Sequence, residues 1–66
     1  MELDELGNRI KLERQNLGLS QEQLAKEIGS RQGDVSKIEK GELIGKYLFA
    51  YLRFLKKKGI DLNKLF

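Results

Sequence analysis

One segment, residues 20–41, constrains the fold more than any other, because it predicts two short helices joined by a tight turn. Ser20 is followed three residues later by Gln23, which is the capping-box spacing that begins a helix. Gly29 stands where a left-handed residue would end that helix. The apolar residues of this first helix share one face: Leu24, Ala25 and Ile28.

A second short helix is predicted after the turn, over about residues 31–40. Val35 and Ile38 are its apolar positions, and Gly41 is its expected end. The small side chain of Ala25 allows the two helices to cross closely at a steep angle. Two helices held in this way, in a small basic chain, indicate a helix-turn-helix whose second helix enters the major groove of DNA.

The rest of the chain also has helical apolar periodicity and contains no proline, which predicts an all-α fold of five helices. We expect a first helix over residues 3–16, a fourth over residues 46–58, and a short fifth helix capped by Asp61. The fifth helix would bury three apolar residues: Leu62, Leu65 and Phe66. The loop over residues 41–45 would turn two more inward: Leu43 and Ile44.

Arg14 lies on the apolar stripe of the first helix, in line with Leu6 and Ile10. A guanidinium group on a core-facing stripe needs an anionic partner, because an isolated buried charge is very costly. The pattern therefore predicts an internal ion pair.

The fourth helix is apolar on more than one face. Two interpretations remain open. Either the helix is central to the core, or a spare face carrying Phe49 or Phe54 contacts another subunit.

A chain of 66 residues is expected to form one domain, residues 1–66, with a small core that dimerisation would help to stabilise. Cysteine and histidine are absent, which excludes disulfides, the usual zinc sites, thiol nucleophiles and histidine bases. The serine residues have no activating base beside them. The sequence therefore predicts neither an enzyme nor a cofactor.

The charge is unevenly distributed along the chain. The net charge is +3, but residues 1–30 hold four Lys or Arg against six acids, and residues 31–66 hold nine against four. This asymmetry suits a surface that meets a polyanion, although on charge alone a solvated helix surface is the favoured explanation. The N-terminus resembles no signal peptide, and no apolar run approaches the about 20 residues of a membrane span, so we expect a cytoplasmic protein with no membrane contact.

Four short motifs occur at specific spacings: L-G-L-S-Q at 17–21, L-A at 24–25, I-G at 28–29, and S-K-I-E-K-G at 36–41. Together they resemble the lambda-type phage repressor and Cro helix-turn-helix family, also described as XRE-like. The resemblance implies a five-helix DNA-binding domain, usually a homodimer on a palindromic double-stranded operator, that regulates transcription as a repressor.

The resemblance also implies roles for individual residues. Gln21 is similar to a residue that contacts phosphate and braces the reading helix, and Gln32 to one that contacts a base. Arg14 and Glu39 resemble a recurring internal ion pair, which would supply the partner that Arg14 requires. The complete set of expected DNA-binding residues is Gln21, Arg31, Gln32, Gly33, Ser36, Lys37, Lys40 and Lys46.

The sequence departs from the family pattern in the reading helix. Gly33 offers no side chain, so it would read a base weakly or allow the backbone to approach closely. Asp34 could accept from a cytosine amino group, cap the helix, or repel phosphate. Arg31 stands where a capping Ser or Thr is common, so Ser30 is the expected cap. By residue type alone, two of the expected contacts also suit an ordinary solvated surface: Gln32 and Lys37.

The sequence thus predicts a DNA-binding transcription regulator that reads the major groove with its third helix. The alternative is an antitoxin or protein-interaction module, which would bind a toxin or another protein through the surface of the fourth helix.

Overall fold

The computed structural model describes residues 2–42 and 45–64, and within them the chain is all-α, with no strand. The four α-helices are α1 (Leu3–Asn16), α2 (Gln21–Ile28), α3 (Gln32–Glu39) and α4 (Lys46–Lys57). This confirms the predicted fold class. None of these helices has both the length and the apolarity that a membrane crossing would require.

The predicted count of five helices is not confirmed. A single 3-10 turn, Leu62–Lys64, lies where the fifth helix was expected. Asp61 does begin it, since its Oδ1 accepts a hydrogen bond of 3.0 Å from the backbone N–H of Asn63. The other apolar residues predicted to turn inward lie outside the described residues: Leu43, Ile44, Leu65 and Phe66.

Helix α2 begins and ends as its local sequence predicts. The Ser20 hydroxyl accepts from the Gln23 backbone N–H at 3.0 Å, and the Gln23 side chain accepts in return from the Ser20 N–H at 2.8 Å. Gly29 has φ of 72°, the left-handed conformation that glycine adopts most readily. The capping box and the glycine end of α2 are therefore confirmed.

The N-terminus of α3 differs from the prediction that Ser30 caps it. Ser30 belongs to the end of α2, because its backbone N–H donates to the Ala25 carbonyl at 2.9 Å. Its hydroxyl is buried, with no hydrogen-bond partner in the described part of the chain. The N-cap residue is Arg31, whose side chain has no acceptor atom. The Asp34 carboxylate reaches back to accept the Arg31 N–H at 3.4 Å.

The core is built from all four helices, and α4 contributes its largest side chains. Tyr51 and Leu55 are fully buried, and Phe54 is only 9% exposed. Phe54 is therefore a core residue, and it does not lie on an exposed spare face of α4 as one interpretation expected. Phe49 is 62% exposed and lies on the outer side of α4. The remaining buried apolar residues are Leu6, Ile10, Leu24, Ala25, Val35 and Ile38.

A direct contact between main chains fixes α1 against α3. Gly7 is buried, and a Cβ atom added there would lie 2.8 Å from the Ile38 carbonyl oxygen and closer still to that of Glu39. Any side chain would push the two helices apart. This close approach holds the C-terminal turn of α3, and with it Glu39, directly beneath α1.

Candidate nucleic-acid interface

The carboxylate of Glu39 joins all four helices. Arg14 on α1 donates to it twice, from Nε at 2.7 Å and from Nη2 at 3.2 Å. Gln21 on α2 donates from Nε2 at 2.9 Å, and the hydroxyl of Tyr51 on α4 donates at 2.5 Å. Both charged side chains are buried, so the guanidinium on the apolar stripe has the anionic partner that it requires.

The electrostatics of this cluster keep Glu39 ionised. Burial alone would raise the pKa of Glu39, but the hydrogen bonds from Arg14, Tyr51 and Gln21 outweigh it and hold the pKa below its usual value. Burial, reinforced by the neighbouring carboxylate, raises the pKa of Tyr51. The hydroxyl of Tyr51 therefore stays protonated and acts as a donor to Glu39.

Sequence reasoning missed Tyr51 as a member of the cluster, because it treated the aromatic residues of α4 as core or as a subunit contact and not as hydrogen-bonding groups. One signal was present: the hydroxyl of a buried tyrosine needs a hydrogen-bond partner. Here that partner is a carboxylate twelve residues earlier in the chain.

Glu39 also determines how a side chain at the surface is oriented. An ionised carboxylate can only accept hydrogen bonds, so Gln21 must direct its NH2 group towards Glu39. The amide oxygen of Gln21 then faces outward, where it accepts a hydrogen bond of 2.6 Å from Nε2 of Gln32. The amide oxygen and the second N–H of Gln32 remain available on the exposed side of α3.

Several predicted DNA-binding residues lie on one face of α3. Gly33, Ser36, Lys37 and Lys40 have the spacing i, i+3, i+4, i+7, which aligns them along a helix. Ser36 is half-buried, and the other three are exposed. With Gln32 they form what we term the α3 face: Gln32, Gly33, Ser36, Lys37 and Lys40.

The other two cationic residues predicted to bind DNA lie at helix starts. Arg31 is exposed at the N-cap of α3, and Lys46 is exposed at the first position of α4, with its ammonium group 5.1 Å from the centre of the Tyr47 ring. No described contact joins Lys46 to the α3 face. Asp34, which sequence reasoning left open, makes its hydrogen bond to the N-terminus of α3.

The α3 face carries an amide donor and acceptor, a hydroxyl group and two ammonium groups, which suit recognition by hydrogen bonds and charge. Within residues 2–42 and 45–64, no group of three or more acidic side chains is placed to bind a metal ion.

Comparison with known proteins agrees with this geometry. A sequence model of the helix-turn-helix family matches residues 10–62, a stretch that contains all of α2, α3 and α4. No curated protein and no solved structure matches the chain significantly. The family is one of DNA-binding proteins. The chain therefore belongs to the lambda-repressor-like helix-turn-helix family of DNA-binding transcription regulators.

Proposed function

We propose that residues 1–66 form one DNA-binding domain of a cytoplasmic repressor, and that α3 reads the major groove of its operator. The observation that carries this proposal is the orientation of Gln32. Its open amide oxygen and N–H form the acceptor and donor pair that complements N6–H and N7 of adenine. An isolated surface glutamine would have to lose its rotational freedom on binding, whereas Gln32 is already held by Gln21.

The rest of the α3 face supplies further readout. Lys37 lies one helical turn beyond Gly33 on the α3 face and donates to guanine O6 or N7, or to a phosphate. A side chain at Gly33 would project into the open space outside α3. Because glycine has no side chain, the backbone of α3 can lie close to the base edges at this position. Ser36 contributes a short hydroxyl group that can donate or accept.

Residues on and around the α3 face hold the phosphate backbone of the duplex. Phosphate contacts give affinity and register, whereas base contacts give sequence preference. We assign the phosphate contacts to the exposed cations and to the glutamine that braces α3: Gln21, Arg31, Lys40 and Lys46. Arg14 and Glu39 have a structural role, because they are buried beneath this surface.

A homodimer on a palindromic operator completes the proposal. One copy of so small a surface binds weakly, and two copies would reach half-sites about 34 Å apart, one turn of the duplex. Phe49 is 62% exposed on α4, which supports an interface there. The same exposed ring supports the alternative that α4 binds a different protein, such as a toxin.

The test is selection from a random duplex library at about 100 mM salt, a concentration that limits non-specific binding. We expect an enriched site with two inverted halves centred about one turn apart. Binding without an enriched sequence, lost steeply as salt rises, would contradict sequence-specific reading. Absence of DNA binding, together with copurification of a small protein, would favour the alternative.

A further inference from the structure

A groove with an apolar floor and a basic rim lies between α2 and α4, and the DNA-binding proposal does not use it. It is an open groove with a volume of about 320 Å³. We refer to its apolar lining residues as the floor, Ile28, Ala50 and Phe54, and to its cationic lining residues as the rim, Arg53, Lys57 and Lys58.

The floor is shaped to receive an apolar side chain. Ala50 contributes only a methyl group, so the surface between Ile28 and Phe54 stays concave. Phe54 is held in the core, and the ammonium group of Lys58 lies 5.6 Å from the centre of its ring. An apolar group entering the groove would therefore pack on a fixed floor with cations beside it.

The rim has an excess of positive charge. Glu27 is the one acidic residue that lines the groove, against three cations. No ion pair is seen for these cations in the part of the chain that the structure describes. The negative end of the helix dipole accounts for lysines in the last turn of α4, but not for Arg53, which lies in the middle of the helix.

The groove is separate from the α3 face. Its lining residues come from the last turn of α2 and from α4 with its C-cap, and none of them belongs to the α3 face. DNA is a poor occupant of it, because a phosphate backbone has no apolar group for the floor and would be repelled by Glu27. An acidic peptide segment has both the charges and the apolar side chain.

We infer that this groove binds an acidic segment of a partner protein, anchored by one large apolar side chain between α2 and α4. The partner would then join the protein while the α3 face remains free. The inference does not depend on DNA binding.

The probe is a synthetic peptide of about twelve residues, three helical turns long, in which glutamates flank one phenylalanine. Its affinity for the full chain is measured by fluorescence anisotropy, and its position by amide chemical shifts of the isotope-labelled protein. We expect shifts at Ile28, Ala50 and Phe54. Two matched peptides, one with lysine for glutamate and one with serine for phenylalanine, should bind at least about tenfold more weakly.

Two variants locate the binding in the protein. Arg53→Glu with Lys57→Glu should weaken binding of the acidic peptide at least about tenfold, because two rim charges are reversed. Ala50→Leu, which fills the floor, should abolish it. The control is Lys11→Glu with Lys26→Glu, which changes the net charge equally outside the groove and should alter the affinity less than about twofold.

Three results would overturn the inference. Shifts confined to the α3 face would mean that the peptide merely imitates DNA. Equal weakening by both double variants would mean that only the net charge matters. No binding at about 1 mM peptide, the weak end of measurable affinity, would mean that the groove accepts no such segment.

Discussion

The side-chain nitrogen of Gln32 donates a hydrogen bond of 2.6 Å to the side-chain oxygen of Gln21, and this bond determines which atoms Gln32 presents to the outside. The order of donors and acceptors begins at Glu39, which can only accept. A buried carboxylate thus sets the polarity of a surface amide through one intervening side chain.

The first prediction separates base reading from phosphate binding. Gln32→Ala should remove about 1–3 kcal/mol of discrimination at one base pair, because an amide that pairs with adenine is lost, and should leave the salt dependence unchanged. Lys40→Ala should weaken binding to all sequences alike and lower the salt slope by about one unit. Binding to a set of operator variants at several salt concentrations measures both. Identical behaviour of the two variants would refute the assigned roles.

The second prediction concerns the buried ion pair. Glu39→Ala leaves the Arg14 guanidinium buried without an anion, so the free energy of unfolding should fall by about 3–5 kcal/mol. The control is Glu5→Ala, which breaks the exposed 3.8 Å pair with Arg9 and should cost less than about 1 kcal/mol. Urea denaturation measures both. A loss below about 1 kcal/mol for Glu39→Ala would show that water reaches Arg14.

The third prediction is a pH dependence with a defined sign. The pKa of Glu39 is lower in the folded chain than in the unfolded chain, where about 4.3 is usual. Its contribution is therefore present above about pH 4.3 and is lost as the pH falls through the lower, folded value. The difference in unfolding free energy between the wild type and Glu39→Gln should shrink on acidification. A difference that stays constant down to about pH 2 would contradict the ionised, hydrogen-bonded state of Glu39.

The fourth prediction compares two glycines within helices. Gly7→Ala should destabilise the chain although alanine favours helix, because the added methyl group meets the carbonyl oxygens of Ile38 and Glu39. Gly33→Ala should stabilise it by up to about 1 kcal/mol, since its methyl group meets open space. Thermal denaturation of both variants is the measurement. Equal shifts in melting temperature would mean that α1 and α3 do not touch at Gly7.

Much of the fold was predictable because its signals are local. The Ser20 and Gln23 capping box, Gly29 and the apolar spacing determine where α2 begins and ends, and these contacts span only a few residues. The same locality explains the error at α3: the type of Ser30 suggested a cap, but α3 begins one residue too late for it, so Arg31 occupies the N-cap position and Ser30 belongs to the end of α2.

The candidate site was less predictable, because its contacts join distant segments. The position of Arg14 showed that it needed a partner, and the family resemblance pointed to Glu39. Nothing in the local sequence connected Tyr51 to that pair. Gly7 also looked like an ordinary helix glycine, because the contact that requires a glycine there comes from another helix.

The position of Glu39 has a consequence for how the chain opens. The three other helices each donate hydrogen bonds to this carboxylate, so the departure of any one of them leaves a buried charge short of a donor. The loss of that donor raises the free energy of partly unfolded states, so the four helices are expected to open together. Slowly exchanging amide hydrogens in α1, α2, α3 and α4 would then share one opening free energy, equal to that of global unfolding.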